Sequence, residues 1–208
     1  MTRADEAVQD QVRAARREAY RGAVLSAAER LFAERGFASI SMADIAKAAG
    51  VAKGTLYNYF DSKEEVFAQL AERARQAYLA EVDAAMEGQT GWACLEAIAA
   101  KVLTYLGRDG SMLSMYLEAT GDGSTRSEAD PGRDDGQLAF ARRIGGIMDA
   151  LERDGQLRDG LPADRLVLIY CGALEAQVRA NLADATRSDH ATQAAQLIDV
   201  LRHGAQHR

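Results

Sequence analysis

Proline, the residue that most often ends a helix, occurs only twice in this chain, at Pro131 and Pro162. β-Branched residues are also scarce, whereas Ala, Leu, Glu and Arg, which favour helices, are abundant. Long stretches therefore lack a strong helix breaker, and we predict an all-α fold. With 208 residues, the chain is long enough for one or two domains, each with its own core.

Apolar residues are dispersed along the chain rather than gathered into long runs. The longest run is only a few residues, as at 166–171, whereas a membrane-spanning helix needs roughly 18 or more. No apolar segment follows the charged first residues, so we expect no secretory signal. Cys94 and Cys171 are far apart and form no CxxC pair, which predicts a cytoplasmic protein without disulfides or a zinc site.

Apolar residues recur at helical spacing and predict nine helices in a two-domain arrangement. The first domain is expected over residues 17–63 and the second over 64–208, after residues 1–16, which form a flexible arm or a frayed extension of the first helix. The Gly-, Asp- and Ser-rich segment 121–136 is expected to be a mobile loop that either gates a pocket or is a spacer. The nine helices are expected near residues 17–35, 42–49, 52–60, 63–86, 92–106, 112–117, 140–151, 162–183 and 190–203.

Charge is distributed unevenly between these two parts. Residues 1–63 hold ten basic and eight acidic side chains, a balance of +2, whereas residues 64–208 have a balance of −8, which gives the total of −6. A weakly basic first domain on an acidic body is compatible with nucleic-acid binding by the first domain only.

The most informative segment lies between residues 41 and 63. Ser41 and Asp44 have the spacing of a capping box, which predicts a helix start, and Gly50 is suited to a tight turn after two helical turns. Leu56 and Phe60 are expected to anchor the next short helix on the first one. This is the pattern of a helix-turn-helix module.

Anchoring of that short helix leaves a polar set on its outer side. Lysine, threonine, tyrosine and asparagine side chains donate hydrogen bonds to phosphates and base edges in a major groove. Lys63, at the start of the fourth helix, is placed to reach a flanking phosphate. The outward-facing residues are expected to be Ala52, Lys53, Thr55, Tyr57, Asn58 and Tyr59.

Over residues 27–67 the chain resembles the TetR family of bacterial transcriptional repressors. The shared pattern is an Ala-rich first helix, a Gly-Phe pair, a Ser/Thr cap, and glycines and aromatics at fixed spacing. It is met at Gly36-Phe37, Ser41, Ile45-Ala46, Ala49-Gly50-Val51, Gly54, Tyr57, Phe60 and Lys63-Glu64.

The resemblance implies two sets of DNA contacts and a homodimer that reads a palindromic operator. Residues implied to contact phosphates are Ser41, Lys53, Tyr57 and Lys63. Residues implied to lie near base edges are Ala52, Gly54, Thr55, Asn58 and Tyr59. The arginines of the N-terminal arm, Arg13, Arg16 and Arg17, are candidates for additional minor-groove contacts.

The resemblance also implies that the second domain binds a small effector and forms the dimer through its last two helices. An apolar or aromatic effector suits the Met and aromatic residues of the middle helices. Pocket candidates are Trp92, Tyr105, Met112, Met115, Tyr116, Phe140, Met148 and Tyr170. Interface candidates are Gly172, Ala173, Ala194, Leu197, Ile198 and Leu201.

Each of these residues also has a simpler interpretation. Tyr57 and Tyr59 are otherwise surface aromatics, Lys53 and Lys63 are otherwise solvated, and the pocket candidates are individually explained as core. Glu118 pairs either with a cationic ligand or with a neighbouring side chain, and Glu175 and Arg179 have the spacing of a helical ion pair.

An enzyme is the rival class of function. The three histidines, His190, His203 and His207, all lie near the C-terminus, and the chain has no Ser/His/Asp order, HExxH motif or phosphate-binding loop. We therefore expect no catalytic residues, metal or cofactor. A purely structural helical protein is the third class, and it would not require the polar set on the short helix.

Overall fold

In a computed structural model, the structure describes residues 3–107, 131–157, 160–184 and 189–205. The all-α prediction is confirmed: these residues form eight helices and no strand. The predicted helix at 112–117 lies outside them, so eight helices are described rather than nine. The helices are α1 (Arg3–Arg35), α2 (Met42–Ala49), α3 (Lys53–Tyr57), α4 (Lys63–Met86), α5 (Gly91–Leu106), α6 (Pro131–Arg153), α7 (Ala163–Ala183) and α8 (His190–Ala205).

Helix α1 begins much earlier than its apolar stripe. Residues 3–16 continue the helix of 17–35 without a break, which matches an extension of the first helix rather than a separate arm. The segment before Gly22 contains no glycine or proline and is rich in Ala and Arg, both of which favour helix.

Helix α6 also begins earlier than predicted. The loop expected over 121–136 is wrong at its C-terminal end, because α6 begins at Pro131. Proline fits the first position of a helix, where its missing N–H would have no partner and its fixed φ is already helical. Residues 121–130 lie outside the described part of the chain.

The chain divides into an N-terminal unit, Met1–Arg73, and a C-terminal unit, Ala74–Arg208. The division falls inside α4 rather than at Lys63. The first turns of α4 belong to the N-terminal unit because Val66 and Leu70 are buried there, and the ring of Phe67 packs 5.9 Å from that of Phe32 between centroids.

The core of the N-terminal unit holds the short helices against α1. Helix α2 packs on α1 through Ile45 and Ala46, which are nearly inaccessible, and α3 packs on α2. Full burial of an aliphatic side chain such as Ile45 contributes about 1.5–3 kcal/mol. Helices α2 and α3 are each too short to be stable alone, so this packing fixes their positions.

The C-terminal unit is organised around α5, which contacts α6, α7 and α8. Apolar side chains on several sides of α5, among them Leu95, Ile98 and Leu103, are fully buried. No helix in the described ranges is both long and apolar enough to span a bilayer.

A buried hydroxyl connects α7 to α5. Tyr170 is fully buried and its hydroxyl donates to the Leu95 carbonyl oxygen at 2.8 Å. Burial raises the pKa of this phenol well above its usual value, so the hydroxyl keeps its proton and remains a donor at neutral pH.

We expect Tyr170→Phe to lower the free energy of unfolding by about 1 kcal/mol, because the ring is kept and one buried hydrogen bond is removed. Urea denaturation followed by the fluorescence of the single tryptophan, Trp92, measures this, since Trp92 is buried in the same unit. Unchanged stability would show that the hydroxyl makes no net contribution.

A second polar link joins α7 to α8. The Asn181 side chain is buried, accepts from Gln177 Nε2 at 3.2 Å and donates from Nδ2 to Gln193 Oε1 at 2.7 Å. Both hydrogen-bonding ends of the Asn181 amide are thereby used, as burial requires.

Candidate nucleic-acid interface

The start of α2 is fixed by the predicted capping box, which the structure confirms. The Asp44 amide donates to Ser41 Oγ at 3.3 Å, and the Ser41 amide donates to Asp44 Oδ2 at 2.9 Å. The Ser41 hydroxyl also donates to Asp44 Oδ2, and this hydrogen bond, together with the one from the Ser41 amide, lowers the pKa of Asp44, so the carboxylate is charged at neutral pH. Its contribution to the cap is present above the ordinary Asp pKa and is lost as the pH falls through the lowered value.

The turn between α2 and α3 depends on Gly50. Its φ of 69° and ψ of 28° lie in the left-handed region that glycine favours. The Gly50 amide donates to the Lys47 carbonyl at 3.3 Å, and the Val51 amide donates to the Ala46 carbonyl at 3.0 Å. The turn therefore satisfies the last carbonyls of α2 and directs the chain into α3.

Helix α3 is anchored by two apolar side chains and exposes the rest. Leu56 and Phe60 are buried, as predicted. Thr55 and Tyr59 are half-buried. The remaining predicted site residues of this segment, Ala52, Lys53, Gly54, Tyr57 and Asn58, are exposed.

The two largest exposed groups of α3 lie next to each other. Tyr57 is 44% exposed, and the Lys53 ammonium lies 5.9 Å from the centre of its ring. The Lys53 ammonium, the Tyr57 hydroxyl and the amide of Asn58, which follows the helix, are exposed groups that can donate hydrogen bonds to phosphate oxygens and to base edges.

Lys63 and Tyr59 make contacts that the sequence does not predict. The Lys63 ammonium donates to the Phe37 carbonyl at 2.9 Å and lies 4.2 Å from the centre of the Phe37 ring. Tyr59 stacks on Tyr20 of α1, with ring centroids 6.1 Å apart and an interplanar angle of 10°. Lys63 is drawn to a carbonyl and a π face in the α1–α2 connection, so its ammonium has fewer donors left for a phosphate.

A cavity beside α3 is a feature that the sequence does not predict. It has a volume of about 500 Å³ and is lined by Arg17, Arg21, Asn58 and Tyr59. The signal available in the sequence is the spacing of Arg17 and Arg21, which places both on one face of α1. The spacing alone does not predict that this face lies beside the residues that follow α3.

The pocket candidates that the structure describes lie in or beside the core of the C-terminal unit. Trp92, Phe140, Met148 and Tyr170 are buried and Tyr105 is half-buried. Within the described residues, Trp92 Nε1 is the one buried side-chain nitrogen or oxygen without a hydrogen-bond partner. Met112, Met115 and Tyr116, together with Glu118, lie outside the described residues.

The structure places three of the six predicted interface residues inside the C-terminal unit. Ala194, Ile198 and Leu201 are buried within the unit because α8 packs on α5. Leu197 and Ala173 are half-buried, and only Gly172 is exposed. Sequence periodicity identifies an apolar stripe but not which neighbour covers it.

The titratable groups of the C-terminal unit do not form a reactive centre in the described ranges. Both cysteines are free thiols, and burial raises the pKa of Cys94 and brings that of Cys171 to about 11, so neither is a reactive thiolate at neutral pH. No cluster of His, Cys, Asp and Glu there could hold a metal ion. Glu175 and Arg179 form the predicted ion pair, with 2.8 Å between Oε1 and Nη2.

Residues 24–70 match the family model described as bacterial regulatory proteins, tetR family. An uncharacterized HTH-type transcriptional regulator of Mycobacterium tuberculosis is 54% identical over 55 residues, which are 26% of this chain and 27% of that protein. The HTH-type transcriptional regulator EthR of the same species is 47% identical over 51 residues, 24% of each chain. The chain thus matches about a quarter of the length of these relatives, and residues 24–70, which match the family model, lie in the N-terminal unit.

The fold is shared over almost the whole chain with solved structures of low sequence identity. The fatty acid degradation regulator FadR from Bacillus halodurans has a TM-score of 0.73 and 20% identity, over 91% of this chain and 97% of that one. FadR from Bacillus subtilis, solved in complex with stearoyl-CoA, has a TM-score of 0.71 and 21% identity, over 88% and 97%. At this identity the likeness shows the fold alone.

Proposed function

We propose that the chain is a DNA-binding transcriptional regulator of the TetR family rather than an enzyme, because residues 24–70 match the model of that family of bacterial regulatory proteins. The observation that carries the proposal is the construction of α3. Two buried anchors, Leu56 and Phe60, hold the helix in place, while Lys53, Tyr57 and Asn58 are exposed. A core role does not account for that arrangement, and contact with a duplex does.

We propose further that two copies of the chain act together on a palindromic operator. Helix α3 has only five residues, so one copy contacts few base pairs. Two copies of α3, one from each chain and spaced about 34–36 Å apart, would contact successive major grooves on one face of the duplex. Symmetric assembly of this kind is the commonest among oligomeric proteins.

The exposed apolar surface of α7 and α8 supports a dimer through these helices, on a different face from the one first expected. Leu168 and Ile169 of α7 are 67% and 49% exposed, and Gly172 and Ala176 continue the same face. Val200 of α8 is 71% exposed. Apolar side chains this exposed and this close in sequence are typical of a surface covered by a partner.

We expect Leu168→Glu to weaken self-association at least about tenfold, because a symmetric interface then buries two carboxylates without partners. Sedimentation velocity across a concentration series measures this. Leu138→Glu is the matched control, since Leu138 is a similarly exposed leucine on α6 of the same unit. If both variants associate like the wild type, α7 is not in the interface.

The C-terminal unit is proposed to bind a small apolar or aromatic effector that releases the protein from DNA, which would make it a repressor. The unpaired Trp92 Nε1 supports an effector with a hydrogen-bond acceptor beside an apolar body. Helix α4 contributes residues to both units and is the proposed route of coupling. Effector and DNA would then weaken each other's binding by the same coupling free energy, typically about 1–3 kcal/mol.

The proposal is tested by letting the purified protein select its own DNA. Fragments retained from random-sequence or genomic DNA are sequenced, and binding to the enriched duplex is measured at increasing salt. We expect an enriched palindrome and an affinity that falls steeply with salt. If no fragment is enriched and no salt-sensitive binding is found, a structural helical protein becomes the better interpretation.

A further inference from the structure

The cavity between α1 and the end of α3 has the chemistry of an anion site. Its four lining residues are Arg17, Arg21, Asn58 and Tyr59. They carry two positive charges and no carboxylate, and each ends in a group that can donate a hydrogen bond. An oxyanion with several acceptor oxygens is the ligand class that such a set of donors fits.

The guanidinium of Arg21 is held in place before any ligand binds. Its Nη2 donates to Gln69 Oε1 at 2.7 Å, and its central carbon lies 5.4 Å from the centre of the Phe60 ring. Gln69 is itself oriented, because its Nε2 donates to Glu65 Oε1 at 3.2 Å. One of the five N–H groups of Arg21 is therefore used for positioning, and others are left to bind.

Tyr59 is a second lining residue of the cavity with a packing partner. Tyr59 is half-buried and stacks on Tyr20, so its ring is not free to swing into the cavity. Arg17 is exposed, lies one helical turn before Arg21, and makes no ion pair with any carboxylate in the described part of the chain. A positioned arginine, a rigid ring and an unpaired arginine thus surround one open volume.

This cavity adjoins the surface that is proposed to contact DNA. Asn58 lines the cavity and also belongs to the exposed set of α3 with Lys53 and Tyr57. A duplex that contacts Tyr57 would bring a stretch of its sugar–phosphate backbone to the neighbouring surface, and half or more of all protein–DNA hydrogen bonds go to that backbone.

We propose that the cavity lined by Arg17, Arg21, Asn58 and Tyr59 binds a backbone phosphate of the DNA, which extends the DNA-binding surface from α3 onto the middle of α1. This inference rests on the proposed function. It gives Tyr59 and Arg21 a role in shaping a phosphate site, and it assigns Arg17 to a phosphate rather than to the minor groove.

The test is the salt dependence of DNA binding by Arg17→Ala, measured on a duplex that the wild-type protein selects from random-sequence DNA. Removing one arginine that neutralises a phosphate is expected to reduce the slope of log affinity against log salt by about 0.9, or about 1.8 for two heads. Arg30→Ala is the matched control, because Arg30 is also exposed on α1 but projects from a different face. Arg17→Lys keeps the charge and is expected to retain most of the slope.

The possible results separate the phosphate site from the proposed function. Equal slopes for Arg17→Ala and Arg30→Ala, in a protein whose binding still depends on Tyr57, would overturn the phosphate site and leave the function standing. Absence of DNA binding by the wild type would overturn both. A calorimetric titration with inorganic phosphate tests whether the ligand is a free anion instead. If phosphate binding requires Arg17 but Arg17→Ala leaves the salt dependence of DNA binding unchanged, the cavity is a small-anion site and not a DNA-phosphate site.

Discussion

Tyr57→Ala is expected to lower the affinity for the selected operator about a hundredfold. The tyrosine is the last residue of α3 and is 44% exposed, so it does not share the packing that buries Leu56. A hydrogen bond to a charged group contributes about 1.5–3 kcal/mol. A dimer loses two such bonds, and about 3 kcal/mol corresponds to a factor of about a hundred.

Titration of a labelled duplex at fixed salt measures this effect. Tyr57→Phe keeps the ring beside Lys53 and removes only the hydroxyl, so it separates the hydrogen bond from the packing of the ammonium on the ring. Circular dichroism and sedimentation of Tyr57→Ala are expected to match the wild type, because an exposed side chain supports neither the core nor the dimer. Wild-type affinity in Tyr57→Ala would count strongly against docking through α3.

Gly50→Val is expected to lower the stability of the N-terminal unit by about 2–3 kcal/mol and to abolish DNA binding with it. A Cβ at this position would meet no heavy atom within 4 Å, so the cost does not come from a clash. It comes from the backbone, because a φ of 69° is strained for a residue with a Cβ and most strained for a β-branched one. A small unit has little stability to lose.

Hydrogen exchange of the amides in α2 and α3 measures the loss of stability locally. Trp92 fluorescence serves as an internal reference, since the single tryptophan lies in the C-terminal unit and is expected not to respond. Gly50→Asn is the control, because asparagine tolerates the left-handed conformation better than valine does. Equal protection in the Val and Asn variants would show that the φ angle of Gly50 does not limit stability.

Features that depend on a few neighbouring residues are predictable from the sequence. The Ser41–Asp44 cap and the left-handed Gly50 turn are each formed by hydrogen bonds among four or five neighbouring residues. Burial of Leu56 and Phe60 follows from the same logic, because a short helix must anchor its few apolar side chains.

What depends on packing between distant segments is not predictable in the same way. The ammonium of Lys63 binds the Phe37 carbonyl 26 positions away in sequence, and no periodicity indicates such a contact. The apolar stripe that contains Ile198 and Leu201 has the same appearance in the sequence whether α5 or a second copy covers it, so periodicity does not show that these residues pack on α5. The cavity beside Arg17 requires the crossing of α1 and α3 to be known.

The amide link between α7 and α8 has a mechanical consequence for any dimer built from these helices. Sliding one helix along the other would separate Asn181 from Gln193 and leave a buried amide without a hydrogen-bond partner, which costs about 1–3 kcal/mol. The link carries no charge, so neither of its side chains titrates with pH. We therefore expect α7 and α8 to move as a single rigid pair, so that a signal from an effector repositions whole subunits rather than shearing their contact surface.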